Sequence, residues 1–153
     1  MPKKTRNIKK EAIDSFVRRA GIYNSYESRP RRYGSDELLY AREVHTISVI
    51  GRRGSIDMSG IAAGLGVTNG AATRSVDKLV KKGFVIKKKN PADNRKYICR
   101  LTDKAKNIFT YHEALDNRTY SELEEKLSVF TDRQIESAMR FLSLMEDTVR
   151  EWE

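Results

Sequence analysis

Asn69, Thr73, Arg74 and Lys78 lie away from the apolar positions of one helical stretch, and each can address a nucleic acid differently. An Asn amide can bond adenine through two atoms and an Arg guanidinium can do the same with guanine, while Thr offers a hydroxyl and a methyl. Lys contributes a point charge for phosphate. Gly70, Ala71 and Ala72 are small and let a backbone come close to a groove. Shortly after comes the run Lys87-Lys88-Lys89-Asn90-Pro91-Ala92-Asp93-Asn94-Arg95-Lys96, five of whose residues are cationic. Its Lys and Arg side chains can neutralise phosphates or reach into a narrow minor groove. The plainer reading of the helical positions is an ordinary solvated face.

These residues need elements to hold them. Met58, Ile61, Ala62 and Leu65 recur at i, i+3, i+4 and i+7, one face of a short helix. Asp57 can cap it, and Ile56 with Ile61 can form a hydrophobic staple. Gly66 suits a left-handed helix end, because it has no Cβ to clash. Thr68 caps a second helix expected over Asn69 to about Lys82, with Ala72, Val76, Leu79 and Val80 as its buried stripe. Two helices joined by a tight Gly-containing turn form a helix-turn-helix, whose second helix enters the major groove. Phe84-Val85-Ile86 and Tyr97-Ile98-Cys99 are rich in β-branched and aromatic residues, and the Pro, Asn and Asp between them mark a turn. The expectation is a β-hairpin with a long cationic loop over 87–96, placed directly after the recognition helix as a wing.

Asp93-Asn94-Arg95, five residues and then Leu101-Thr102 resembles the wing signature of the MarR family of winged helix-turn-helix regulators. Leu79-Val80-Lys81-Lys82-Gly83-Phe84-Val85 is similar to that family's junction between recognition helix and wing, with Val80 where a polar residue is more usual. The resemblance covers roughly residues 37–106. It implies a dimeric DNA-binding repressor in which Arg95 enters the minor groove and Asp93 holds the wing tip. His45-Thr46-Ile47, Ile50-Gly51 and Tyr111-His112-Glu113 further resemble the subgroup that represses fatty-acid synthesis genes. That likeness implies an acyl carrier or a long acyl chain as effector, in the cleft between the DNA-binding and dimer regions; apart from it, a small-molecule effector is the other partner expected.

Charge is distributed unevenly. Residues 1–32 carry 10 basic and 3 acidic side chains, residues 33–106 carry 15 and 7, and residues 107–153 carry 5 and 11. The motif region is thus basic and the tail acidic, which points the positive field at one part of the molecule. No apolar run is long enough to span a membrane, and no apolar segment follows the basic N-terminus as in a signal peptide. One Cys among 153 residues excludes an internal disulfide framework and suits the cytoplasm.

Around the motif the chain reads as helical. Met1 to Lys10 is a basic arm, and Ile13, Phe16, Val17, Ala20 and Tyr23 repeat at helical spacing until Pro30. A basic linker, 29–34, precedes a second helix expected to be capped by Ser35, with Asp36 and Glu37 in its first turn and Gly51 or Gly54 at its end. After the wing, Thr102 caps a long helix to about Leu127, with a kink near Asn117 to Ser121. Thr131 and Gln134 then form a capping box, and Ile135, Ala138, Met139, Leu142, Met145, Val149 and Trp152 form a stripe. Terminal helices that a small winged domain cannot cover leave apolar surface for a partner, and the simplest partner is a second copy.

No catalytic constellation is present, so an enzyme is not expected, and no cofactor is implied. Gly64-Leu65-Gly66 follows a helix rather than a strand and is no phosphate loop. Cys99 sits in a strand pattern in which it or Ile98 faces outward; relatives that sense redox carry their Cys in the first helix. His45 and His112, with Glu43 and Glu113, would meet if the second and fifth helices pack, as in zinc-sensing relatives, although two His are few for zinc.

The sequence therefore predicts a mainly α protein with a small β-hairpin. Residues 1–34 would form an arm and dimerisation helix, 35–102 a winged helix-turn-helix domain and 103–153 further dimerisation helices. Its function would be a sequence-specific double-stranded DNA-binding transcription regulator, a repressor acting as a homodimer on a palindromic operator. Asn69, Gly70, Thr73 and Arg74 would face base edges, and Lys78, Lys87, Lys88, Lys89 and Lys96 would contact phosphate. Asp93, Asn94 and Arg95 would form the wing tip, with Arg95 in the minor groove. The alternatives are a winged-helix protein-interaction module, or a metal- or redox-sensing variant of the same regulator.

Overall fold

The computed structural model describes residues 7–91 and 93–151. The expectations for the first six residues of the arm, for Ala92 and for Trp152 lie outside the described residues. The chain divides after Glu113 into two compact units.

The first unit opens with α1 (Ile8–Glu27), capped by Asn7, whose Oδ1 accepts from the Lys10 N–H at 3.1 Å. The helical pattern is realised, but α1 buries no residue, and Ile13, Val17 and Tyr23 stand exposed while Phe16 is half-buried. The basic linker is more ordered than its composition suggests. Two short antiparallel strands, β1 (Arg31–Arg32) and β2 (Leu38–Leu39), pair across it and bury Tyr33 and Leu39. This displaces the expected start of the second helix. Ser35 does not cap it: α2 runs Ala41–Arg53, entered through Tyr40, whose N–H donates to Glu43 Oε2 at 3.0 Å. Asp36 instead pairs with Arg32 at 3.5 Å and Glu37 with Lys104, because Leu38–Leu39 is drawn into strand geometry by pairing with Arg31–Arg32. α2 ends at Gly54, where φ is +67°.

Next come β3 (Ile56–Asp57), α3 (Met58–Leu65), α4 (Asn69–Lys81), β4 (Val85–Asn90) and β5 (Asp93–Leu101). The sheet has three antiparallel strands in the order β3-β5-β4, one more than the expected hairpin. The added strand is only two residues long, too short to announce itself by alternation. Val44, Ile47 and Ile50 of α2, Ile61 of α3, Val76 and Leu79 of α4, and Phe84 are completely buried together. Burying each such side chain stabilises the fold by roughly 1.5–3 kcal/mol.

α5 (Asp103–Leu127) starts as expected, with Thr102 Oγ1 accepting from the Ala105 N–H at 3.4 Å. Ala105 and Ile108 complete the core. Gly51 allows α5 to lie against α2, since a Cβ there would sit 2.5 Å from the Phe109 ring.

The second unit holds the end of α5 and α6 (Asp132–Arg150). α5 continues uninterrupted through Asn117–Ser121, where a kink was expected. The capping box of α6 is present: Thr131 Oγ1 accepts from the Gln134 N–H at 3.4 Å, and the Thr131 N–H donates to Gln134 Oε1 at 2.8 Å. α6 buries no residue, and Met139, Leu142 and Val149 of its apolar stripe are exposed. Among the described residues no helix is long and apolar enough to cross a membrane.

Candidate nucleic-acid interface

The interface is set by how α3 and α4 are capped. Asp57 Oδ1 accepts from the Gly60 N–H at 2.8 Å, which starts α3 where its free N–H groups need an acceptor. Gly66, at φ +64°, ends it in the left-handed region that a side chain would strain. Thr68 Oγ1 then accepts from the Ala71 N–H at 3.3 Å and starts α4. Gly60 and Gly64 permit close packing: a Cβ on Gly60 would lie 2.8 Å from Ile56, and one on Gly64 2.8 Å from Val49.

Ala72, Val76 and Leu79 bury one face of α4. Val80, expected in that stripe, is 37% exposed; it lies past the edge of the buried arc, because successive helical residues are about 100° apart. Ser75 fixes the rotation of the helix. Thr46 donates its hydroxyl proton to the Arg42 carbonyl at 2.8 Å, so Ser75 donates to Thr46 Oγ1, also at 2.8 Å. With that face settled, Asn69, Gly70, Arg74 and Lys78 are exposed and Thr73 is half-buried. Thr73 Oγ1 donates to the Asn69 carbonyl at 2.8 Å, which leaves its methyl and its lone pairs for a ligand. A Cβ on Gly70 would meet Arg74 Nη1 at 3.7 Å, so the Arg74 guanidinium lies back over the first turn, as helical side chains lean.

The wing differs from the expected loop. Strand pairing continues up both arms, with Lys87 opposite Cys99, Lys88 opposite Ile98 and Lys89 opposite Tyr97. The next pair is Asn90 with Asp93, so Asn94, Arg95 and Lys96 form a surplus on β5 with nothing opposite them. Extra residues on one strand bend it and re-aim side chains. Asp93 organises this surplus, its Oδ1 accepting from the Arg95 N–H at 3.1 Å and from Nε at 3.4 Å. The Arg95 side chain is 92% exposed.

The cations separate into two sets. Lys82 pairs with Glu43 at 2.7 Å, and Lys104 pairs with Glu37 and lies over the Phe84 ring. Lys87, expected at phosphate, turns inward instead: its Nζ is 2.8 Å from Asp77 Oδ1 and 5.0 Å from the centre of the Tyr97 ring. Arg74, Lys78, Lys88, Lys89 and Lys96 are exposed and have no ion-pair partner among the described residues. Asp77 and Ser75 escaped the sequence reading. An acidic residue amid Arg74, Lys78 and the lysines of the wing was the available signal for Asp77.

The sensing residues are also placed. Cys99 is fully buried, its Sγ 3.7 Å from Met58 Sδ, so it is Ile98 that faces away from the core. Burial pushes the Cys99 thiol above its ordinary value, against a smaller opposite pull from Lys87. His45 and His112 do meet, with ring centroids 5.6 Å apart, and His112 Nδ1 is 3.2 Å from Ser48 Oγ. The two carboxylates are engaged elsewhere, Glu43 with Lys82 and Glu113 with Arg52 Nη2 at 2.8 Å.

A helix-turn-helix whose second helix runs into a three-stranded wing defines a winged helix-turn-helix domain. Residues 39–97 match the family model of the MarR family. PchR, an HTH-type transcriptional regulator of Bacillus subtilis (strain 168), is 28% identical over 107 residues. That match takes in 69% of this chain and 63% of PchR, so the chain spans less than two thirds of that relative's length. The zinc-responsive MarR family member ZitR of Lactococcus lactis has a similar structure, with a TM-score of 0.69 at 21% identity over 92% of this chain and 98% of its own. FabT of Streptococcus pneumoniae, solved in complex with DNA, gives 0.64 at 22% identity over 94% of this chain and 99% of its own. At these identities the two structures share the fold.

Proposed function

We propose that this protein is a transcription regulator that binds double-stranded DNA in a sequence-specific way and represses as a homodimer on a two-fold-symmetric site. The observation that carries the reading is the separation of cations. Those next to the core are spent on Glu43, Glu37 and Asp77, while Arg74 and Lys78 on α4 and Lys88, Lys89 and Lys96 on the wing face solvent without an ion-pair partner among the described residues, and Arg95, held by Asp93 through Nε, keeps a side chain that is 92% exposed. Unspent positive charge on a recognition helix and its wing is the footprint of a polyanion. In this reading Asn69, Gly70, Thr73 and Arg74 face base edges. Lys78, Lys88, Lys89 and Lys96 meet phosphates. Asp93 and Asn94 shape the tip that carries Arg95 into the minor groove. Relatives named as transcriptional regulators support a regulator rather than an enzyme.

The homodimer rests on the uncovered apolar side chains of α1 and of α6, among them Val17, Ile22, Met139 and Leu142. Two copies related by a dyad present two recognition helices to half-sites about one helical turn apart. A protein acting on the chromosome in this way works in the cytoplasm. An acyl or other small-molecule effector would act by changing duplex affinity. Selection of bound duplexes from a random pool tests the reading: it expects a palindrome with half-sites about 10 base pairs apart centre to centre. No enrichment, and no salt-dependent binding to any duplex, would favour the protein-interaction module instead.

A further inference from the structure

Resting on that duplex-binding reading, we infer that Asp77 and Lys87 form a positioning pair that fixes the angle of the wing against the recognition helix, so that Arg74 and Arg95 are set at a fixed separation before DNA arrives. Asp77 follows Arg74 by three positions on α4, so the two are neighbours on the helix surface. Lys87 lies midway along β4, directly opposite Cys99, and residues directly opposite in an antiparallel pair share a face of the sheet. Cys99 is packed against Met58 of α3, so the Lys87 side chain is aimed at the helices rather than at solvent, and only 20% of it is exposed. Its ammonium reaches Asp77 Oδ1 at 2.8 Å and the Tyr97 ring at 5.0 Å. Tyr97 is the last regularly paired residue of β5 below the surplus that carries Arg95. One ammonium therefore ties α4 to the base of the wing tip.

Electrostatics argues for the same arrangement with DNA bound. If Lys87 left for a phosphate, Asp77 would remain as a bare carboxylate beside a polyanion. Kept together, the pair is neutral and rigid. A pair with Asp77 about half exposed contributes little to folding, so its effect belongs in recognition.

The test uses the full chain and a duplex it selects from a random pool, with affinity measured against salt for single and paired variants. Arg95→Ala alone is expected to weaken binding by about 5- to 150-fold. In an Asp77→Asn background the same change is expected to cost no more than about threefold, because the wing no longer delivers Arg95 to one place. Arg74→Ala keeps its full penalty in both backgrounds, Lys87→Arg preserves the coupling, and Asp77→Lys combined with Lys87→Asp restores it. Lys87→Gln leaves the salt slope unchanged, whereas Lys88→Gln lowers it by about one unit. Equal Arg95→Ala penalties in both backgrounds would overturn the proposal. So would a salt slope lowered by about one in Lys87→Gln together with tighter binding by Asp77→Asn, which would make Lys87 a phosphate contact. Failure of the unaltered chain to bind any duplex would remove the duplex-binding reading itself, a result distinct from additive penalties.

Discussion

Asp93 holds Arg95 twice, by its backbone N–H and by its guanidinium Nε, and Arg95 stands in the middle of the three residues, Asn94 to Lys96, that have no strand partner. The carboxylate spends itself on shaping the tip and leaves the Arg95 Nη groups pointing outward. Arg95→Ala is expected to weaken duplex binding by ~1–3 kcal/mol. Asp93→Ala keeps the charge of Arg95 but loosens its placement, so its loss should be smaller and its salt slope unchanged. Fluorescence anisotropy on a selected duplex at physiological salt distinguishes the two, and unaltered affinity for Arg95→Ala would count against the wing.

Gly51 lies under the Phe109 ring, where α5 meets α2. Alanine in a helix interior normally gains up to about 1 kcal/mol over glycine, but overpacking costs typically ~1–3 kcal/mol. The clash at 2.5 Å should win, so Gly51→Ala is expected to lower the thermal midpoint. Combining it with Phe109→Ala removes the clash, and the double variant should lose less than the two single losses added together.

Removing the Asp57 carboxylate frees the Gly60 N–H that it now satisfies at 2.8 Å. Asp57→Ala should cost ~0.5–2 kcal/mol by urea denaturation, whereas Asp57→Asn, which keeps an acceptor, should cost less.

Cys99 is fully buried and its thiol is pushed up from 9.0 by that burial. A raised folded value means that the neutral thiol is favoured in the fold. Its contribution to stability is complete below about pH 9, the unfolded value, and is lost as the pH rises through the higher folded value. Alkylation by iodoacetamide at neutral pH should accordingly be slow in the native protein and fast in urea. Rapid native alkylation would reopen a sensing role for this thiol.

Leu142 and Met139 stand exposed on α6. Sedimentation should give a species near twice the 17.6 kDa chain mass, and Leu142→Glu should shift it toward the monomer. A 17.6 kDa species for the unaltered chain at micromolar concentration would remove the homodimer.

The helix-turn-helix was legible because its signals are local. Asp57, Gly66 and Thr68 each act within three or four residues, and the apolar period of α3 and α4 needs no distant partner. The capping residue of α6 was readable for the same reason. What escaped depends on pairing across the chain. Ile56–Asp57 becomes a strand only because Ile98–Cys99 passes beside it, and Leu38–Leu39 only because Arg31–Arg32 does. The former explains the missed third strand and the latter the misplaced start of α2. In the site, the outward positions of Arg74 and Lys78 followed from helical period. The inward turn of Lys87 did not, because charge alone cannot distinguish a lysine that meets a phosphate from one that meets Asp77 ten residues earlier.

The unmatched stretch of β5 lies wholly beyond the Lys89–Tyr97 pair, and the register below it is regular down to Leu101. Residues could be inserted or deleted at the tip without shifting which side chains face inward at Cys99 or Leu101. The length of the tip is thereby uncoupled from the integrity of the core, and related chains are free to lengthen or shorten this finger while the rest of the domain stays unaltered.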